Sequence, residues 1–190
     1  SFSGDLMVEV YMAQMMDRER GNYKNYLRDF NLAICADGKD LTSGYSCIFG
    51  GWLDAPGQGP KSAIVRRGRI VAEKPDPILS SGGIHRRWNR VRVVKQGGRI
   101  LFTAHSQFRP QDPERELLRL SFDDPEPLTG TRIAIWSYDC GVLLARARIS
   151  AEEEGPLEEP LALWPSSVTS VYNAPAELET PATSEAASPR

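Results

Sequence analysis

The chain has 190 residues, 41% of them hydrophobic and 25% charged, with a formal net charge of −2. That composition suits one globular domain with an appendage, and no apolar run approaches the roughly 20 residues a membrane span needs. Charge divides the chain: residues 151–190 hold eight Glu and one basic residue, Arg190, whereas residues 1–150 hold 22 Lys and Arg against 17 Asp and Glu.

Chain order reads as a succession of short strands. Asp5–Ala13 alternates Leu6, Val8, Val10 and Met12 with Met7, Glu9, Tyr11 and Ala13, the period-2 signature of a half-buried strand. Residues 14–26 are polar and read as a loop. Asp29–Ala36 alternates again, Asp37-Gly38-Lys39-Asp40 is a turn cluster, and Tyr45–Trp52 is aromatic and β-branched. Ser62–Arg66 and Arg69–Glu73 flank Arg67-Gly68 as a hairpin, and Arg87–Lys95 and Arg99–Ala104 flank Gly97-Gly98 as another. Glu116–Phe122 is a further strand. Residues 132–136 and 142–150 read as a closing hairpin across Asp139-Cys140-Gly141. Turn signals about every 8–12 residues, with no amphipathic helix, predict an all-β antiparallel sandwich.

The expected core is Val8, Val10, Phe30, Leu32, Ile34, Val91, Val93, Ile100, Phe102, Leu118, Leu120, Ile133, Ile135, Ala147 and Ile149. The three cysteines, Cys35, Cys47 and Cys140, are too few and too widely spaced for a disulfide framework or a metal site. A Cys35–Cys47 pair and two small buried thiols both remain open. Residues 151–190 hold six Pro beside the eight Glu, and read as an acidic tail, disordered from about Pro175. Within it Leu161, Leu163, Trp164 and Tyr172 are candidates to dock onto the body.

Trp88-Asn89-Arg90-Val91-Arg92-Val93-Val94-Lys95, a Gly turn, Arg99-Ile100-Leu101-Phe102, then Gly130-Thr131-Arg132-Ile133-Ala134-Ile135-Trp136 and a last strand resemble the second half of a concanavalin A-like lectin/glucanase jelly roll, in an uncharacterised bacterial-type, laminin-G-like form. The likeness spans roughly residues 5–150, taken as the domain, with the first strands of the usual jelly roll expected upstream of Ser1 or from a partner chain. It implies an antiparallel jelly-roll β-sandwich, glycan or polysaccharide binding, and an extracellular or periplasmic setting. The E-x-D-x-x-E strand of the laminarinase-type relatives is absent, so a glycoside hydrolase or polysaccharide lyase is the alternative, and a structural or protein-interaction module is a third reading.

Glu9, Tyr11, Asn31, Trp88, Arg90, Arg92, Arg132, Trp136, Tyr138, Arg146 and Arg148 fall on the wet sides of their strands. If the strands share one sheet, these residues form a groove of arginines and aromatic rings. Trp136 and Tyr138 would stack on sugar rings, and Arg90, Arg92, Arg132 and His85 would meet the carboxylates of an acidic polysaccharide. His85 and His105 are the only histidines; with Asp139 or Glu9 they could serve acid–base chemistry. Their spacing gives no metal motif, and none is expected to be bound. Ca²⁺ at Asp37, Asp40, Asp123 and Asp124 competes with turn roles for the same residues. Scattered basic residues argue against nucleic acid, and no segment argues for a membrane.

Overall fold

The computed structural model describes residues 2–14, 29–51, 61–75, 87–107, 111–137 and 141–154. Their regular structure is β1 (Phe2–Gln14), β2 (Phe30–Ala36), β3 (Tyr45–Gly51), β4 (Lys61–Arg66), β5 (Arg69–Pro75), β6 (Trp88–Gln96), β7 (Arg99–Gln107), β8 (Arg115–Asp123), β9 (Arg132–Trp136) and β10 (Val142–Glu154). Two five-stranded antiparallel sheets result, ordered β10-β1-β6-β7-β8 and β5-β4-β3-β2-β9. The all-β sandwich read from the alternation is the observed fold. The tail beyond Glu154 lies outside the described residues.

Local chemistry sets the tight connections. Arg67 and Gly68 both have positive φ, 44° and 77°, the backbone of a two-residue primed turn that matches strand twist. Gly97 (φ 53°) and Gly98 join β6 to β7. A Cβ on Gly98 would sit 2.3 Å from the carbonyl oxygen of Asp124, so that turn can close only on glycine.

Between the sheets lie Val8, Val10 and Met12 of β1, Phe30, Leu32 and Ile34 of β2, Tyr45, Cys47 and Phe49 of β3, and Val91, Val93, Ile100 and Phe102 of the β6–β7 hairpin, all with no exposed surface. Leu118 is buried as well, and Leu120 and Ile133 are partly buried against this cluster. Cys35 and Cys47 are free, buried thiols; burial raises the pKa of both. β1 lies against β2, and β8 against β4 and β5.

Where β8 ends, the chain crosses from one sheet to the other. The Asp124 N–H donates to the Gly98 carbonyl at 2.8 Å. Its buried carboxylate accepts from the Tyr45 hydroxyl (2.6 Å), the Arg66 Nε–H (2.6 Å) and the Glu126 N–H (3.0 Å). Tyr45 Oη accepts in turn from the Leu128 N–H at 3.0 Å, and Arg66 donates to the Glu126 carbonyl at 2.8 Å. Burial pushes the Asp124 carboxyl upward, but the hydrogen bonds from Tyr45 and Arg66 outweigh it and hold the group below its usual range. Burial, then the bond to Asp124, push the Tyr45 phenol up to about 12.

Two expectations fail here. Residues 132–136 and 142–150 do not form a hairpin: β9 pairs with β2 and β10 with β1, in different sheets. Their short sequence separation resembles a hairpin, but the two strands belong to different sheets. Ile135, Ala147 and Ile149 also keep their alternation without being buried, because β9 and β10 are the outermost strands on one side of the sandwich. Ile135 remains 37% exposed and Ile149 36%. β10 continues to Glu154.

Leu32→Ala should cost about 2–5 kcal/mol in urea unfolding, whereas Ile135→Ala, on the residue paired with Leu32, should cost about 1 kcal/mol. Equal losses would mean the sandwich closes over β9. The neutral Tyr45 phenol contributes stability that is complete below about pH 10 and is lost as the pH rises to about 12. The unfolding free energy should fall across that window, and more steeply in the wild type than in Tyr45→Phe.

Candidate functional site

Inward positions of the β1 sheet are apolar, so alternation turns a second set of residues outward. These are Glu9 and Tyr11 on β1, Trp88, Arg90 and Arg92 on β6, Thr103 and His105 on β7, Glu116 and Arg119 on β8, and Arg146 and Arg148 on β10. Register makes two rows of them. Arg148 pairs with Glu9, Glu9 with Arg92, Arg92 with Thr103 and Thr103 with Arg119. Arg146 pairs with Tyr11, Tyr11 with Arg90, Arg90 with His105 and His105 with Glu116.

Glu9 is buried under this face and is held by two guanidiniums, Arg90 at 3.5 Å and Arg146 at 3.4 Å. Arg90 also reaches Glu114 at 2.5 Å, and the Tyr11 hydroxyl donates to the same carboxylate at 3.2 Å. The Arg146 guanidinium lies over the Tyr11 ring, 4.5 Å from its centre, a cation–π contact that leaves both groups at the surface. Burial, then the nearby Glu114 charge, raise the Tyr11 pKa. Arg119 holds Glu116 at 2.6 Å and lowers its pKa. His105 is lowered by burial and then by Arg90, its Nε2 is 3.7 Å from Glu116, and its buried Nδ1 has no partner among the described residues.

Register sets Arg92 and Arg148 on either side of Glu9, yet the carboxylate is taken by Arg90 and Arg146. Arg92 and Arg148 are therefore exposed guanidiniums with no ion-pair partner among the described residues. Trp88 stands on the same face at the start of β6 and is 41% exposed.

The single groove expected from the sequence is divided. Arg90 and Arg92 lie on β6, but Arg132 and Trp136 lie on β9 at the edge of the other sheet. Trp136 pairs with Asn31 on the outer side of that sheet and packs on Ile48, Ala63 and Val65. Asn31 donates to Asp29 at 2.7 Å; its Oδ1 and the Trp136 Nε1 are buried without a hydrogen-bond partner among the described residues. Arg132 pairs with Ala36. These two residues cannot share a ligand with Arg90 and Arg92 on one sheet face. His85, Tyr138 and Asp139 lie outside the described residues.

Of the aspartates considered for Ca²⁺, Asp37 and Asp40 hold their own turn and Asp123 lies 4.0 Å from Arg99. Asp37 accepts from the N–H groups of Lys39 and Asp40, and Asp40 accepts from Thr42. Asp124 serves the crossing already described. Glu114, Glu116 and Arg119 were not singled out from sequence. The two-residue Gly97-Gly98 turn, which places Arg90 opposite His105, was the available signal for the β7 part of the face.

Replacing Arg90 with Gln should raise the His105 pKa toward its ordinary value, because the guanidinium depresses it. An imidazole titration followed by NMR reads this directly; a downward or absent shift would contradict the arrangement.

No protein-family model and no curated protein sequence matches the chain. Solved structures similar in chain course include a functionally unknown protein from Saccharomyces cerevisiae, with a TM-score of 0.40 and 12% identity over 82% of this chain and 72% of that one. The VIP36 exoplasmic/lumenal domain in its Ca²⁺/Man₃GlcNAc-bound form has a TM-score of 0.44 at 10% identity, over 80% of this chain and 65% of that one. Its Ca²⁺/Man-bound form gives 0.44 and 10%, over 83% and 72%. Likeness at this level carries no functional weight, and the function is read from the chain's own side chains.

Proposed function

We propose that the chain binds acidic glycans on the outer face of the β1 sheet. The observation that carries this reading is the pair of exposed guanidiniums, Arg92 and Arg148, left without carboxylate partners among the described residues on the face that also carries Tyr11 and Trp88. A planar guanidinium matches a uronate carboxylate or a sulfate through two parallel hydrogen bonds. An exposed indole offers an apolar plane to a sugar ring. Glu9, Arg90 and Arg146 hold one another through ion pairs, which pre-organises the floor beneath the two free arginines. Within the two rows, with Glu114 added, five arginines stand against three glutamates, which favours an anionic ligand there.

One observation favours a second reading, a carbohydrate-active enzyme. Tyr11, Arg90 and His105 stand in one row, with Glu114 joining the first two. Burial and then Arg90 lower the His105 pKa, which favours the neutral imidazole. Such a base could remove the proton beside a uronate carboxylate neutralised by Arg90. The C–H electrons would form a double bond as the glycosidic C–O bond breaks, with the leaving oxygen taking a proton.

Titration with uronate-containing and sulfated oligosaccharides, and with neutral ones of equal length, decides between these outcomes. Acidic ligands should bind and weaken with added salt, and neutral ones should not. Arg92→Ala and Arg148→Ala should each weaken binding about five-fold, or about 1 kcal/mol. Unchanged affinity in both variants, or loss only in Trp136→Ala, would remove the proposal. Growth of an unsaturated-uronate absorbance during incubation would promote the second reading.

A further inference from the structure

Of the four strands that end the two sheets, β10 is the longest. It has 13 residues, against 9 in β8, 7 in β5 and 5 in β9. No proline interrupts it, and its ladder to β1 is unbroken from Arg146 to Ala151. Residues 143–150 are exposed along its whole length. A long regular edge presents a row of N–H and C=O groups that another strand can pair with. The two sides of this edge differ. Ala147, Ile149 and Ala151 pair with the buried Val10, Val8 and Leu6 and turn toward the core side. Arg146, Arg148 and Ser150 pair with Tyr11, Glu9 and Met7 and turn outward, and alternation puts Glu152 with them.

We infer that β10 joins a second copy of itself, antiparallel, about a two-fold axis at Ile149. A two-fold contact requires a strand that is complementary to itself. Directly paired residues share a face, so the axis must pass through a residue and not between two. An axis at Ala147 sets Arg146 opposite Arg148 of the copy, and one at Arg148 sets that residue on itself. Like charges directly opposite one another are destabilising. An axis at Ser150 sets Ala147, on the core side, opposite Glu153. At Ile149 the pairs agree: Ile149 meets Ile149, Ala147 meets Ala151, Arg148 meets Ser150 and Arg146 meets Glu152. Apolar residues then cover one another on the core side, where Ile149 is otherwise 36% exposed. On the outer side each Arg146 gains a carboxylate.

This register leaves Arg148 opposite a serine and without a carboxylate. The two arginines at 148 become diagonal neighbours, about 7–8 Å apart, at a surface where water and salt screen them. The outer faces of the two copies run on from one to the other as a single sheet surface. The inference does not rest on the glycan reading, because dimer formation is measured with no ligand present.

Sedimentation of the full-length chain over a range of concentrations tests it, together with cysteine cross-linking. The wild type should be largely dimeric at about 100 μM, as a micromolar contact requires. Ile149→Lys should raise the dimer dissociation constant at least about ten-fold. Under oxidised glutathione, Ile149→Cys should form a disulfide-linked dimer above the wild-type background. Ala147→Cys alone should not, whereas Ala147→Cys combined with Ala151→Cys should, since those positions meet across the axis. A wild type that stays monomeric at about 100 μM would overturn the inference and favour cover of β10 from within one chain. A dimer that Ile149→Lys leaves intact would overturn it as well, and so would cross-linking through Ala147→Cys alone. Should Ile149→Lys fail to fold, the wild-type sedimentation and the cysteine variants still decide the matter.

Discussion

The fold turns on a single buried carboxylate. Asp124 stands where the chain leaves β8 and passes to the opposite layer, and it accepts hydrogen bonds from β3, β4 and its own crossing segment. An ionised carboxylate placed in a protein interior without such donors would cost several kcal/mol. Three donors at 2.6–3.0 Å offset that cost. The same three contacts fix the route of the chain: the backbone from 124 to 128 is held by Arg66 and Tyr45, both rooted in the far sheet. β9 consequently joins β2 and not β8. A change at Asp124 would act on the placement of everything that follows it in the chain.

That crossing decides which side chains can act together. If β9 had continued the β1 sheet, Arg132 and Trp136 would have extended the row of Arg90 and Arg92. Because it crosses, Trp136 is spent against Ile48, Ala63 and Val65, and the arginine face is completed by β10. The face has an internal logic of its own. Glu9 is the buried counter-charge of two arginines, and two others are left over. Nearly all side chains of the face stand on strands of one sheet, so their spacing is as rigid as the ladder beneath them.

Much of this was legible in the chain. Glycines at 68, 97 and 98 mark two hairpins, and alternation from Leu6 to Met12 and from Val91 to Val93 names the core. What failed was non-local. Residues 132–150 carry every local sign of a hairpin, and non-local contacts, the Asp124 bonds to residues about 60–80 positions earlier and the ladders with β2 and β1, place the two strands in different sheets. Ile135 and Ile149 obey the period of a core residue, but the period reports which way a side chain points, not how far the opposite sheet extends. Trp136 illustrates the same limit in reverse. It was read as a wet-side stacking platform, and its outward direction was right, but neighbours on its own sheet face cover it.

The central claim is that the ligand surface is the outer face of the β1 sheet. Backbone amide shifts recorded while a uronate-containing oligosaccharide is added test it most directly. The account predicts perturbations concentrated on β10, β1 and β6 around Arg148, Glu9 and Arg92, growing with ligand and fading with salt. Perturbations centred on β2 and β9 around Asn31 and Trp136, with the β1 sheet unmoved, would contradict it.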